Sequence, residues 1–406
     1  MANKTLVNAT AYDVIGGKTL VAGTSYSVKN GKVLVGGTAY DISFLLPPAV
    51  LDLWSGNEIY CITYANGYWV VGGVYYGGGN TKYARIAYAT NLDGTWTTKD
   101  LWSSNYAGNI NSIAYGNGYW VVGGEYRESR NYYARIAYAT SLSGTWTTKD
   151  LWESNSGSSS NSSYYCWITC LAYANGYWVV VGEFNNNKGY IAYATSPHGS
   201  WTVNAFGGSS KSLDCITYAN GYWVVGGTYY STSDGPYYAR IFYATSPGGT
   251  WTTKDLWEGY RKSYAEVNCI TCSNGYWVVG GRYYNSNEGC SICIAYAPSP
   301  TDTWTKKDVW SGANSYNQIY GIAYGNGYWV VGGHYYDGSI HRARIAYATS
   351  LSGIWTTKDL WGNGSYCELN CLIFANGYWV VGGYDDIRKY SCVAYAGSPQ
   401  ELGESK

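Results

Sequence analysis

The chain of 406 residues has no excess charge of either sign: 26 basic and 26 acidic residues cancel, and no long like-charge run occurs. Nucleic acid and anionic membrane surfaces are recognised through basic patches, so neither is an expected partner. Charged residues are scarce altogether, at 13%. No stretch approaches the apolar length that spans a bilayer, which argues against membrane insertion. The amino terminus, MANKTLVNATAYDV, lacks the apolar core of a standard secretory signal. Helical periodicity is absent as well. Abundance lies elsewhere, in 48 Tyr and 20 Trp.

Those aromatics are ordered. The tetrapeptide Asn-Gly-Tyr-Trp begins at Asn66, Asn117, Asn175, Asn220, Asn274, Asn326 and Asn376, at intervals of 45 to 58 residues. Each copy sits in a longer unit, seen from Ile113 to Trp152: IAYG, the turn NG, YWVVGG, a tyrosine-rich insert, ARIAYATS, SGTW and TTKDLW. Val, Ile, Tyr, Thr and Trp fill the segments and Asn-Gly or Ser-Gly separates them, so each unit reads as four antiparallel strands, a to d. Aromatic and aliphatic residues occupy both parities of a strand such as Tyr68-Trp69-Val70-Val71, as expected for a sheet sandwiched between two others. The pattern predicts an all-β, seven-bladed β-propeller over residues 47–399.

The seventh unit stops early. A connection leading to the tryptophan before strand d occurs at Trp96, Trp146, Trp201, Trp251, Trp304 and Trp355, but after Tyr395 the chain runs only to Ser398-Pro399 and a short charged tail, 400–406. Leu51-Asp52-Leu53-Trp54 copies the Lys-Asp-Leu-Trp of the other units and precedes the first strand a. Residues 49–54 are therefore expected to supply the missing outer strand and close the ring. Upstream, KTLVNATAYDVIGG, KTLVAGTSYSVKNG and KVLVGGTAYDISF start at Lys4, Lys18 and Lys32, every 14 residues. They read as a small amino-terminal β-repeat domain, 1–46, of stacked hairpins or solenoid rungs, set off by Pro47-Pro48.

Eleven cysteines include Cys269, Cys272, Cys290 and Cys293 at zinc-ribbon spacing. Cys269, however, occupies the strand a position held by Cys61, Cys170, Cys215 and Cys371, and by Ser112 and Gly321 in the other two units, and positions three apart on a strand point to opposite faces. Unpaired structural thiols are expected, with no metal and no cofactor.

Strand connectivity puts the a–b and c–d turns on one face and the b–c and d–a loops on the other. The first face is uniform, with NG and SGT-like turns. The second varies in every blade, in loops such as VYYGGGNTKY from Val74, TYYSTSDGPYY from Thr228 and HYYDGSIHR from His334. Tyr, Ser, Gly and Asn dominate it, a vocabulary suited to adaptable binding. The residue after the strand b glycines is Val74, Glu125, Glu183, Thr228, Arg282, His334 and Tyr384 in turn. These read either as a ring at the mouth of the variable face or as solvated strand ends. Ligand-binding candidates are Glu125, Tyr126, Glu183, Tyr229, Tyr230, Arg282, Tyr283, His334, Tyr335 and Tyr384; no residue is assigned a catalytic role. Arg85, Arg135, Arg240 and Arg344 recur identically in strand c and are expected to pack on aromatics.

The segments IAYGNGYWVVGG and RIAYATSLSGTW resemble the repeats of bacterial and bacteriophage propellers related to the Asp-box of sialidase-like propellers, and the order of Gly, Tyr and Trp is similar to kelch propellers. Only Asp93 keeps an acidic residue beside the turn glycine. The KTLVGGTAY-like repeats resemble the start of phage and prophage tail-associated proteins. That resemblance implies a virion protein, made in the host cytoplasm and released by lysis, whose residues 1–46 contact other virion proteins and whose propeller is displayed to the host. Three readings follow: a binding module for host-surface glycan or protein, a glycan hydrolase using a pair such as Glu125 and Glu183, and a purely structural virion protein. Homo-oligomerisation stays open. The non-enzymatic binding module is the expected one.

Overall fold

A computed structural model of the chain describes strand backbone at 3–7, 10–15, 18–21, 24–29, 32–35 and 38–41, and then residues 49–55, 58–155, 165–184, 188–206, 210–230, 236–259, 265–285, 289–312, 317–361, 367–385 and 390–403. Pro47-Pro48 and parts of several variable loops lie outside the described residues.

Every Asn-Gly pair forms the tight turn between strands a and b. The asparagines hold φ of 46° to 49° and the following glycines 79° to 85°, the left-handed pair of a type I′ hairpin. Blade 1 runs Ile59–Ala65, Tyr68–Tyr76, Lys82–Ala89 and Thr97–Ser104 as strands a to d. Six further four-stranded sheets repeat it, all antiparallel between sequential neighbours. The later first strands are Gly108–Gly116, Cys166–Ala174, Ser210–Ala219, Ala265–Ser273, Gln318–Gly325 and Cys367–Ala375. The seven-bladed propeller is thus present.

Its closure is the expected one. Ala49–Ser55 pairs with Tyr390–Ala396 as the outer strand of blade 7, with Val393 opposite Leu51 and Tyr395 opposite Ala49. Trp54 Nε1 then donates to the Val74 carbonyl of blade 1 at 3.2 Å. The same bond joins other seams, from Trp102 to Glu125, Trp152 to Glu183, Trp257 to Arg282 and Trp361 to Tyr384. At these five seams the outer tryptophan fixes the backbone of the next blade's strand b; blade 3 has Phe206 at that place, and Trp310 of blade 5 is buried with its Nε1 unbonded.

Buried side chains fall into seven clusters, each built from two adjacent blades. The tryptophan of every Asn-Gly-Tyr-Trp is fully buried in them. Such burial contributes about 25 cal/mol per Å² of apolar surface removed from water, which makes these seams the main source of stability. The zinc-like cysteines are divided between two seams: Cys269 and Cys290 belong to the core between blades 5 and 6, Cys272 and Cys293 to that between blades 4 and 5. All eleven cysteines are free thiols. Among the described residues, no helix is long and apolar enough to cross a membrane.

The paired glycines have a specific cause. Each strand a carries a bulge, for example between Ile110 and Ser112, that pushes a carbonyl toward strand b. A Cβ on the second glycine would lie 1.9 Å from the Asn109 oxygen at Gly124 and 1.8 Å from the Glu266 oxygen at Gly281. Blade 3 replaces the first glycine by Val181 but keeps the second, Gly182.

Two segments lie outside the repeating blades. The amino-terminal repeats form one antiparallel six-stranded meander, in which successive strands pair side by side. At the carboxy end Leu402 is fully buried in the core between blades 6 and 7, and Lys358 Nζ caps the Gln400 carbonyl. An apolar residue three beyond Pro399 fills that seam.

Candidate functional site

The bulged first strands line the axis and alternate apolar residues, buried in the seams, with half-buried ones. Toward the variable face the half-buried positions are Glu58, Asn109, Trp167, Ser212, Glu266, Gln318 and Glu368, then the bulge residues Tyr60, Asn111, Thr169, Asp214, Asn268, Tyr320 and Asn370. Several bulge residues bridge to the next blade. Asn111 Nδ2 donates to the Ile168 carbonyl at 2.8 Å, Thr169 Oγ1 to that of Leu213 at 2.5 Å and Asn370 Nδ2 to that of Ile59 at 3.1 Å. The last of these crosses from blade 7 to blade 1 and belongs to the same belt around the axis.

Above the belt lies a polar mouth. Arg282, buried, makes two bonds to Glu266, at 3.0 and 3.2 Å. With the Gln318 amide oxygen turned toward the guanidinium, Nη2 lies at 2.9 Å and Nη1 at 3.2 Å, and the amide nitrogen meets the Tyr320 hydroxyl. Burial first, then Glu368, holds the Tyr320 phenol far above its usual range, with Glu266 and Glu58 adding to the effect. Charges from blades 5, 7 and 1 thus act on one side chain of blade 6. Asp214 is likewise raised, by burial first and then by Glu266 and Glu183, while Ser212 donates to it at 2.9 Å. The mouth is rich in carboxylates, with Arg282 as a paired cation.

A second polar feature opens at the seam of blades 1 and 2, where Tyr60, Tyr76, Lys82, Asn109 and Glu125 line a small cavity. Burial raises the Glu125 carboxyl to about 7 against the opposing pull of Lys82 and Arg127. Aromatic surface continues around it. Arg127 lies 4.6 Å from the ring centres of both Tyr106 and Tyr132, Tyr132 meets Tyr165 edge-on, and Tyr165 stacks on Trp167 at 5.2 Å.

The sequence-predicted residues separate into groups. Glu125, Glu183, Arg282 and Tyr384 stand at the axial side of the variable face, with Glu183 and Tyr384 half-buried. Solvated strand ends do not describe this register: Val74, Thr228, Arg282 and His334 are buried. His334 stacks on His341, with Nε2 and Nδ1 2.6 Å apart. Tyr126, Tyr229 and Tyr335 lie beneath Arg135, Arg240 and Arg344, at 3.6, 3.5 and 3.3 Å from their ring centres. Each arginine in turn grips the strand d aspartate of its own blade, Asp150, Asp255 or Asp359. Tyr283 makes the equivalent stack with Lys306 at 3.3 Å and bonds Asp308. Tyr230 packs on Tyr237. The recurring arginines therefore pack as expected, and four tyrosines named as ligand candidates have a ring face covered by a cation.

Sequence reasoning missed the strand a positions. Their signal was present as polar–apolar–polar–small in EIYC from Glu58, NINS from Asn109, SLDC from Ser212, EVNC from Glu266 and ELNC from Glu368.

Neither a protein-family model nor a curated protein matches the chain. Solved structures do. It superimposes on YCF48 bound to D1 peptide with a TM-score of 0.51 and 13% identity, over 87% of this chain and 96% of that one. The WD40 β-propeller domain of Doa1 gives 0.48 and 11%, over 87% and 98%. Trypanosoma rangeli sialidase in complex with sialic acid gives 0.45 and 11%, over 92% of this chain and 58% of that one. The likeness is one of fold.

Proposed function

We propose that this propeller is a non-enzymatic binding and display protein that recognises a host-surface glycan or protein through its variable face. The observation that carries the reading is the contrast in how polar groups are used. On the constant face lysines are tied to turn carbonyls, as Lys99 is to Ser143 at 3.0 Å and Lys254 to Thr301 at 2.9 Å. On the variable face carboxylates, amides and aromatic rings converge on the axial mouth and on the sector of blades 1 to 3. A rigid ring presenting clustered aromatic and polar side chains is suited to recognition. Hydrolysis is the weaker reading. The strand c arginines are engaged by aspartates within their own blades, and the charges acting on Glu125 are cations instead of a second acid. The resemblance of residues 1–46 to phage tail-associated repeats supports a virion location, with that module contacting other virion proteins.

Binding of the full chain to intact bacterial cells and to a glycan array tests this. Tyr76→Ala, Tyr106→Ala and Tyr165→Ala on the variable face are expected to weaken binding roughly tenfold each, as for loss of an aromatic contact. Tyr276→Ala and Ile354→Ala, exposed on the constant face, leave it unchanged. Loss confined to the second pair overturns the proposal, and cleavage of a bound glycan replaces it with the hydrolase.

A further inference from the structure

The cavity at the seam of blades 1 and 2 measures about 60 Å³ and is lined by Tyr60, Tyr76, Lys82, Asn109 and Glu125, among others. It admits a few water-sized groups and is too small for a whole sugar ring. Glu125 is held in place from both sides. Trp102 Nε1 donates to its carbonyl at 3.0 Å, and its own N–H donates to Asn109 Oδ1 at 3.2 Å. The Glu125 backbone is thereby fixed at the cavity wall, on the scaffold of two blades. Lys82 and Arg127 are the cations acting on it; Tyr132 and Cys166 are titratable groups that feel its charge, and Tyr60 and Tyr76 share the cavity wall.

This mixture of charges selects a chemistry. An entering cation meets Lys82 and Arg127, and an entering anion meets Glu125. A neutral group that both donates and accepts hydrogen bonds meets a partner for each role. Tyr76, on the cavity wall and 44% exposed, and Tyr106, next in the chain to the lining residue Ala107 and 52% exposed, are two of the most exposed rings among the described residues. The Lys82 ammonium lies 5.3 Å from the centre of the first, and the Arg127 guanidinium 4.6 Å from that of the second. Exposed rings beside a polar cavity suit a ligand that is apolar on one side and hydroxylated at its edge.

We propose that this cavity is the anchoring subsite for a neutral glycan, with two adjacent hydroxyls of one pyranose entering between Glu125 and Lys82 while the ring lies against Tyr76 and Tyr106. The assignment rests on the binding reading above and names its ligand class and anchor.

Saturation-transfer NMR and titration of the full chain with the methyl glycosides of glucose, galactose and mannose provide the test. At least one is expected to bind, and Glu125→Gln and Tyr76→Ala each weaken it roughly tenfold or more, as for loss of a charge-assisted hydrogen bond or a stacking ring. Wild-type affinity rises from pH 6 to pH 8 as Glu125 ionises and accepts from both hydroxyls; in Glu125→Gln it is flat, which a purely structural role does not produce. Should Glu125→Gln fail to fold, Lys82→Met and Tyr106→Ala read the same contacts. Glycoside binding undiminished in these variants overturns the subsite and leaves the binding reading standing. Capture of a host-surface protein with no glycoside binding overturns the glycan class. Absence of binding to cells, glycans and proteins alike overturns the proposed function itself.

Discussion

The two faces of this ring are ends of the same strands, yet they are built by opposite rules. On the constant face, seven Asn-Gly turns share one backbone conformation, and lysines such as Lys99 and Lys254 bond carbonyls of the next blade. On the variable face, equivalent positions carry Val74, Glu125, Thr228, Arg282 and His334, and carboxylates sit where burial raises them. Identity at every repeat marks what closes and packs the ring. Divergence within an unchanged backbone marks side chains released from that duty, and these are the ones gathered at the mouth and the seam of blades 1 and 2.

The comparison breaks most completely if the ring opens. Deleting residues 1–55 removes the outer strand of blade 7 and the Trp54 bond to Val74. It exposes a strand edge and an apolar seam together, so cooperative thermal unfolding is expected to be lost or its midpoint lowered by more than about 10 °C. An unchanged melting curve sinks the closure.

Glycines from the two faces sharpen it next. Gly275→Ala, in a constant-face turn at φ +81° with open space around the new methyl group, is expected to cost about 1 kcal/mol. Gly281→Ala, six residues further on in the strand that follows that turn, drives a methyl group into the Glu266 oxygen and is expected to cost about 3 kcal/mol or more. Denaturant titration separates the two, and equal costs contradict the bulge as the reason for the second glycine.

The smallest effect is electrostatic. Glu125, raised to about 7, binds its proton more tightly in the folded chain. Its contribution to stability is present at low pH and is lost as pH rises through 7. Glu125→Gln is therefore expected to match wild type near pH 4 and to be more stable at pH 8 by up to about 3 kcal/mol. Lys99→Met on the constant face is expected to change stability by under about 1 kcal/mol at either pH. Calorimetry across that range decides, and a pH-independent Glu125→Gln difference contradicts the burial of the carboxyl.

Much of this was legible in the residues. Period, turn type and strand count follow from Asn-Gly-Tyr-Trp because a type I′ turn requires two left-handed residues and a two-sided sheet requires apolar residues of both parities. The closing strand was legible because Leu51 to Trp54 repeats a segment whose seventh copy is otherwise missing. The cysteines were legible as core because their position recurs with Ser112 and Gly321. The role of the tyrosines was harder to see. Tyr126, Tyr229 and Tyr335 resemble recognition residues in composition, and only the cross-strand pairing of b with c puts an arginine over each ring.

By itself, then, the sequence determined the number of blades, the register of each strand and the way the ends join, since these depend on local turn chemistry and on repetition along the chain. Tertiary structure alone decided which polar residues meet. Arg282, Glu266, Gln318 and Tyr320 come from strands of two blades, and Glu125 shares a cavity with Lys82 and Tyr76 of the neighbouring blade. Bulges in the first strands turn their alternate residues to a common axis, and convergence on an axis is a property of the closed ring that no single repeat contains.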